Sequence, residues 1–136
     1  MALTPEVPPP TRCDGRSLAW GTKTFVMAIV NVTPDSFSGD GLAGQPERAE
    51  DLAVAAVADG ADLIDIGAES TRPGHTPISA EEELDRLVPV LRAVASRVDV
   101  PISVDTSKAV VAEAALQAGA SLVNDVRGLT ADPDMA

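Results

Sequence analysis

Cysteine occurs once, at Cys13, so no disulfide can form within the chain, and a cytoplasmic setting is expected. Histidine also occurs once, at His75. With one thiol and one imidazole there is no zinc cluster, and neither a Ser-His-Asp nor a Cys-His set has a supporting spacing. His75 reads as a loop residue, not a base. Aromatic residues are nearly absent: Trp20, Phe25 and Phe37 are the whole set. Core volume must then come from Ala, Val, Leu and Ile, which suit parallel strands packed closely beneath helices. Basic residues are scarce, 10 Lys and Arg against 21 Asp and Glu, for a formal net charge of -11. That balance argues against nucleic-acid and anionic-membrane partners, which need basic surface. An anionic ligand would need a local cation or a metal; otherwise the charge serves solubility. No segment approaches a transmembrane helix in length, and the opening "MALTPEVPPPTRCDG" lacks the apolar stretch of a signal peptide. Walker and G-x-G-x-x-G loops are missing.

What is present is globular: 136 residues, 45% hydrophobic and 23% charged. Residues 1–19 are Pro-rich and read as a flexible arm. From residue 24 an alternating pattern begins. Thr24 to Asn31 reads as a buried strand. A helix starts near Glu47, with Ala49, Leu52, Ala53, Ala56 and Val57 at helical spacing and Gly60 as its stop. "ADLIDIG" is the second strand. Ser79 with Glu82 has capping-box spacing, and Leu84, Leu87, Val88, Leu91 and Ala95 form the next apolar face. Pro89 lies within that helix and is expected to kink or split it. The run Glu81-Glu82-Glu83 reads as a solvated helix start. "VPISVDT" is the third strand, Thr106 or Ser107 can cap the helix after it, and Val111, Ala114, Ala115 and Ala118 face inward before Gly119. "SLVNDV" is the fourth strand. Repeated strand–helix units with short connections mean a parallel sheet.

Polar residues gather at the C-terminal ends of these apolar strands: Asn31, Asp65, Asp105, Asn124 and Asp125. A carboxylate or amide at the end of a buried strand is unfavourable unless paired, and in parallel α/β folds ligands bind at that end. "GADLIDI" and "GASLVND" echo one another, with Asp65 and Asn124 at matching positions. Helix-to-strand turns are minimal, whereas two strand-to-helix loops, "NVTPDSFSGDG" and "AESTRPGHTP", are long and polar. One rim therefore carries function and the other stability.

"NVTPDSFS" after the first strand, "DIGAESTRPG" after the second, "VDTSK" after the third and "ND" after the fourth together resemble dihydropteroate synthase, from about residue 20 onward. The resemblance implies a TIM-type (β/α)8 barrel, of which residues 20–136 hold the N-terminal half, about four βα units. It implies a transferase of folate biosynthesis. Its reaction condenses a dihydropterin-methyl diphosphate with p-aminobenzoate to give dihydropteroate and pyrophosphate, with Mg2+ on the diphosphate. Matched residue by residue, Asn31 resembles the magnesium-associated asparagine, Thr71 a substrate-contacting threonine, and Asp105 and Asn124 two pterin-binding residues. In the two loops, Asp35 is the candidate to stabilise a pterin-methyl cation and Arg72 to hold the departing anion. Phe37 and Pro73 are candidate walls for p-aminobenzoate. The family pattern has Met-Gly where this chain has Met27-Ala28, and Asp-Gly-Gly where it has Gly39-Asp40-Gly41. A βα barrel needs roughly 250 residues, so the chain is expected to be truncated after the fourth strand and inactive alone. The full-length enzyme would form a homodimer. Alternatives are a pterin-binding methyltransferase domain, a non-catalytic pterin-binding protein, and a structural fragment.

Overall fold

In a parallel strand with helices on one side, alternate residues must be apolar to meet those helices, while the others are free to differ. The computed structural model, which describes residues 6–34 and 42–136, is built on that division. Its elements are β1 (Thr11–Cys13), β2 (Arg16–Leu18), β3 (Met27–Asn31), α1 (Pro46–Ala58), β4 (Leu63–Gly67), α2 (Ala80–Ala95), β5 (Ile102–Asp105), α3 (Ala109–Gln117) and β6 (Leu122–Asn124). A short 3-10 turn follows at Pro133–Met135. Strands β3, β4, β5 and β6 form a four-stranded parallel sheet in that order.

The register sorts the side chains. Val30, Ile64, Ile66, Ile102 and Val104 fall on one face and are buried in the main core with Ala49, Ala53, Leu87, Leu91, Val94, Val111 and Ala115 of the helices. The opposite face carries Met27, Ile29 and Asn31 of β3, then Leu63, Asp65 and Gly67 of β4. It continues with Ser103 and Asp105 of β5 and Leu122 and Asn124 of β6. At its lower end this second face is covered, where Leu63 and Leu122 pack with Cys13, Leu18 and Phe25. Ile29, one step up β3, is 64% exposed.

Four expectations change. The arm expected over residues 1–19 is, from Thr11 to Leu18, an antiparallel hairpin whose Cys13 and Leu18 are buried under the sheet. Trp20 fastens it, donating from Nε1 to Thr11 Oγ1 at 3.0 Å and meeting the Phe25 ring edge-on. Pro89 does not split α2, which runs unbroken from Ala80 to Ala95. Pro89 and Asp85, whose carbonyl loses its helical donor, are both exposed, so water can serve that carbonyl. The Ser79 cap forms as its spacing predicts, its Oγ accepting from Glu82 N at 3.1 Å. Helix α3 instead begins after Lys108, and neither Thr106 nor Ser107 is its N-cap; the Ala109 amide donates to the Asp132 carboxylate at 2.8 Å. Finally, Glu83 is not solvated. Glu81 and Glu82 are exposed, but the helical turn places Glu83 on the same face as Leu87, Val90 and Leu91, at 0% exposure.

Gly119 ends α3 with φ +119°, and a Cβ there would lie 2.6 Å from Ala95 Cβ on α2. Gly119→Ala should therefore destabilise the fold by about 2 kcal/mol or more, through overpacking and a left-handed backbone. Chemical denaturation of the two proteins measures it.

Candidate active site

The C-terminal ends of the four parallel strands form one rim, and the polar residues of the interior face meet there. Asn31 ends β3, Asp105 ends β5, and Asn124, its register partner, ends β6. Gly67 ends β4 between Asn31 and Asp105. A Cβ on Gly67 would stand 3.2 Å from Asp105 Cβ, so glycine leaves Asp105 the room it occupies. One step below the rim, Asp65 is 3% exposed, and its Oδ2 accepts from Asn124 Nδ2 at 3.3 Å. The small Ser103 lies between their strands at the level of Asp65. The matching positions of Asp65 and Asn124 in the sequence thus become a contact. The other Asp65 oxygen is buried with no hydrogen-bond partner among the described residues.

Asp105 feels this surplus of negative charge. Burial first, then the charges of Asp65, Asp125 and Glu83, raise its pKa from 3.8 to about 6. Asp125 stands beyond β6, where its two oxygens accept from Arg127 N and Leu129 N, each at 2.9 Å, and shape the following turn.

Above the rim, the long loop after β4 closes over one side. Asn31, Thr33, Glu69, Ser70, Thr71, Arg72 and Asp105 enclose a polar cavity of about 100 Å³. An adjoining hollow of about 270 Å³ shares Glu69, Ser70, Thr71 and Asp105, and is bounded beyond them by Lys108 and Arg127. Four residues singled out from the sequence, Asn31, Thr71, Arg72 and Asp105, therefore share one cavity, with Asn124 beside Asp105. Pro73 is exposed in the same loop and lines neither space. Asp35 and Phe37 lie outside the described residues. For a metal, Asn31, Thr33 and Asp105 offer hard oxygens to the cavity, a donor set of the kind magnesium accepts. Among the described residues no three His, Cys, Asp or Glu converge to make an all-protein cage.

The sequence reading passed over a second cluster. Lys108 Nζ is ion-paired with both Glu69 and Glu83, and Thr106 Oγ1 donates to Glu83 Oε1 at 2.7 Å. Burial pushes the Glu69 carboxyl up, but hydrogen bonding and charge from Lys108, with His75, outweigh it and hold it below its usual value. Burial pushes Lys108 down, and its two carboxylate partners reverse that and raise it. Glu69 and Lys108 lie inside "ESTRPG" and "VDTSK", so the signal was present; only their contact across 39 positions was not.

A family model of pterin binding enzymes matches residues 27–136. A parallel βα sheet with a polar C-terminal rim defines the class, and the chain belongs to the pterin binding enzyme family. The dihydropteroate synthase of Synechocystis sp. is 45% identical over 133 residues, which are 98% of this chain and 46% of the relative. That of Bacillus subtilis is 49% identical over 120 residues, 88% of this chain and 42% of the relative. Among solved structures, Yersinia pestis dihydropteroate synthase with a sulfonamide drug complex matches with a TM-score of 0.82 at 48% identity, over 90% of this chain and 44% of that one. The Xanthomonas albilineans enzyme with 4-aminobenzoic acid matches with a TM-score of 0.77 at 46% identity, over 90% of this chain and 45% of that one. The Burkholderia cenocepacia enzyme complexed with 7,8-dihydropteroate matches with a TM-score of 0.74 at 39% identity, over 96% and 42%. The chain thus spans less than half the length of these relatives, and its sheet is about four βα units of a (β/α)8 barrel. No helix among the described residues is long and apolar enough to cross a membrane.

The raised Asp105 pKa has a stability signature. Its contribution is complete below 3.8 and is lost as pH rises through about 6, because the folded state resists ionisation. Asp105→Asn should therefore raise the melting temperature at pH 8, with a gain that shrinks as pH falls toward 4. Thermal denaturation across that range reads it directly.

Proposed function

We propose that the chain supplies the pterin-binding rim of a dihydropteroate synthase. This enzyme is a transferase that joins (7,8-dihydropterin-6-yl)methyl diphosphate to p-aminobenzoate, releasing pyrophosphate, in folate biosynthesis. The observation that carries the reading is the pairing of Asp105 with Asn124 at the ends of adjacent strands, on the interior face of a member of this family. Relatives solved with 4-aminobenzoic acid and with 7,8-dihydropteroate support it.

The chemistry follows from the donors and acceptors. A pterin edge presents ring N–H and amino donors, which a carboxylate can accept in pairs. Asp105 is a carboxylate whose ionised form is disfavoured by burial and by Asp65, so a ligand bringing two donors relieves that penalty. The Asn124 amide already gives one N–H to Asp65 and keeps its oxygen and a second N–H for the ring. In the reaction, the bond between the pterin methylene and the diphosphate oxygen breaks, a carbon–nitrogen bond to the amine forms, and the amine releases a proton. Arg72, lining the cavity, offers its guanidinium to the departing anion, and Thr71 beside it contacts substrate. Asn31 would hold a magnesium ion, which when bound supplies positive charge to the diphosphate. Asp35, Phe37 and Pro73 take their roles from the family resemblance: Asp35 stabilises the pterin-methyl cation, and Phe37 and Pro73 wall the p-aminobenzoate site. The same reading places the enzyme in the cytoplasm as a homodimer.

The 136-residue chain alone should give no detectable dihydropteroate, because it spans less than half the length of its relatives and Ile29 on the interior face is 64% exposed. Robust product formation by the purified chain would refute this. In a version continued to the length of its relatives, Asp35→Ala should lower kcat by about 100-fold or more, the scale of losing one charge-stabilising group, with substrate affinity little changed. Unchanged kcat would remove Asp35 from catalysis.

A further inference from the structure

The loop carrying Thr71 and Arg72 has little apolar packing to hold it, since residues 71–74 are all exposed. Polar ties hold it as well, and one connected set of them leads to a lysine. We propose that Lys108 is a positioning residue: by drawing Glu69 against Glu83 it anchors residues 69–75, and so sets Thr71 and Arg72 beside Asn31 and Asp105.

The anchor begins in the core. Glu83 is 0% exposed on the inward face of α2, where a lone carboxylate would be strongly disfavoured. It is satisfied on both oxygens, by Thr106 Oγ1 at 2.7 Å and by Lys108 Nζ at 2.6 Å. Thr106 and Lys108 both follow β5, and the Lys108 amide also donates to Thr106 Oγ1 at 3.3 Å. The ammonium is thereby fixed against α2 before it reaches the loop. Its remaining partner is Glu69 Oε2, at the start of the loop after β4. The second Glu69 oxygen lies 3.3 Å from His75 Nε2, and His75 Nδ1 lies 2.8 Å from the Arg72 carbonyl oxygen. His75 also donates from its backbone amide to that carbonyl at 3.2 Å. Glu69 thus ties the start of the 69–75 segment to one cation and faces the His75 ring at its end. A second tie, Arg86 to the Ala68 carbonyl at 3.4 Å, lies outside that segment. The chain of contacts runs from a buried helix face to the backbone of Arg72 without a gap.

This inference rests on the proposed function only for what Thr71 and Arg72 do once placed. The anchor itself is testable in the ligand-free chain, by backbone 15N relaxation of residues 71, 72, 74 and 75. Glu69→Gln leaves Lys108 on Glu83 and removes only the loop's charge. It should drop the loop order parameters from the rigid range near 0.85 toward about 0.6, while those of Ile64 and Ile66 in β4 stay unchanged. Lys108→Met should release the loop further, and Lys108→Arg, which keeps a cation between the two glutamates, should restore its order. Loop order parameters in Glu69→Gln equal to those of the parent chain would overturn the proposal. So would Lys108→Arg releasing the loop as fully as Glu69→Gln. Should Lys108→Met fail to fold, the Glu69→Gln comparison decides alone. Binding of 6-hydroxymethylpterin, titrated separately, reports on the functional reading and not on the anchor.

Discussion

A parallel strand can be followed by another only if the chain crosses back over the sheet. Every strand therefore enters at one end and leaves at the other. In this protein that constraint decides where everything else goes. The crossings are α1, α2 and α3, and they claim the sheet face built from Val30, Ile64, Ile66, Ile102 and Val104. The opposite face is left to alternate residues, and its two ends receive different chemistry. At the entry end, Leu63 and Leu122 are closed off by the hairpin residues Cys13 and Leu18 with Phe25. At the exit end stand Asn31, Asp105 and Asn124. The packed end and the polar end of that face lie four positions apart on β4 and two on β6.

Carboxylates outnumber cations around the rim, and three of them, Glu83, Asp65 and Asp105, are treated differently. Glu83 is fully matched by Lys108 and Thr106, as an internal support should be. Asp65 is matched on one oxygen, by an amide. Asp105 has the least protein help and the most neighbouring like charge, and its proton affinity rises accordingly. A gradient from satisfied to unsatisfied runs from the helix layer toward the cavity. Such a gradient leaves the least satisfied acceptor facing the cavity, as perturbed groups in clefts often are at binding sites.

Much of this was legible from residue types alone. Apolar runs located the four parallel strands, and helical spacing the three α-helices, of the described residues, because each segment has to present apolar side chains to the same layer. The polar strand ends marked the rim because the pattern recurs, with Asn31, Asp65, Asp105 and Asn124 all at or near the ends of apolar runs. What escaped depended on partners distant in sequence. The hairpin strands are three residues each, too short for a period to show, and lie in a Pro-rich stretch that reads as loose. Glu83 looked like one more acidic helix-start residue, although its spacing to Leu87, Val90 and Leu91 already placed it inward. The tie between Glu69 and Lys108 joins residues 39 positions apart, beyond the reach of any local pattern. Pro89 shows the converse case, a strong local rule softened where Pro89 and Asp85 are both exposed.

The cap on α3 bears on how the protein is made. That helix has no side-chain cap of its own, and its first amide waits for Asp132, 23 residues downstream, whose other oxygen already holds Asp134 N at 3.0 Å. At ribosomal rates of roughly 5–20 residues per second, the two groups emerge about one to five seconds apart. During that interval water stands in for Asp132 at the Ala109 amide, next to the lysine that pairs with Glu83 in the folded chain. The cap of α3 is therefore completed only once the chain has been made past β6 and through Asp132.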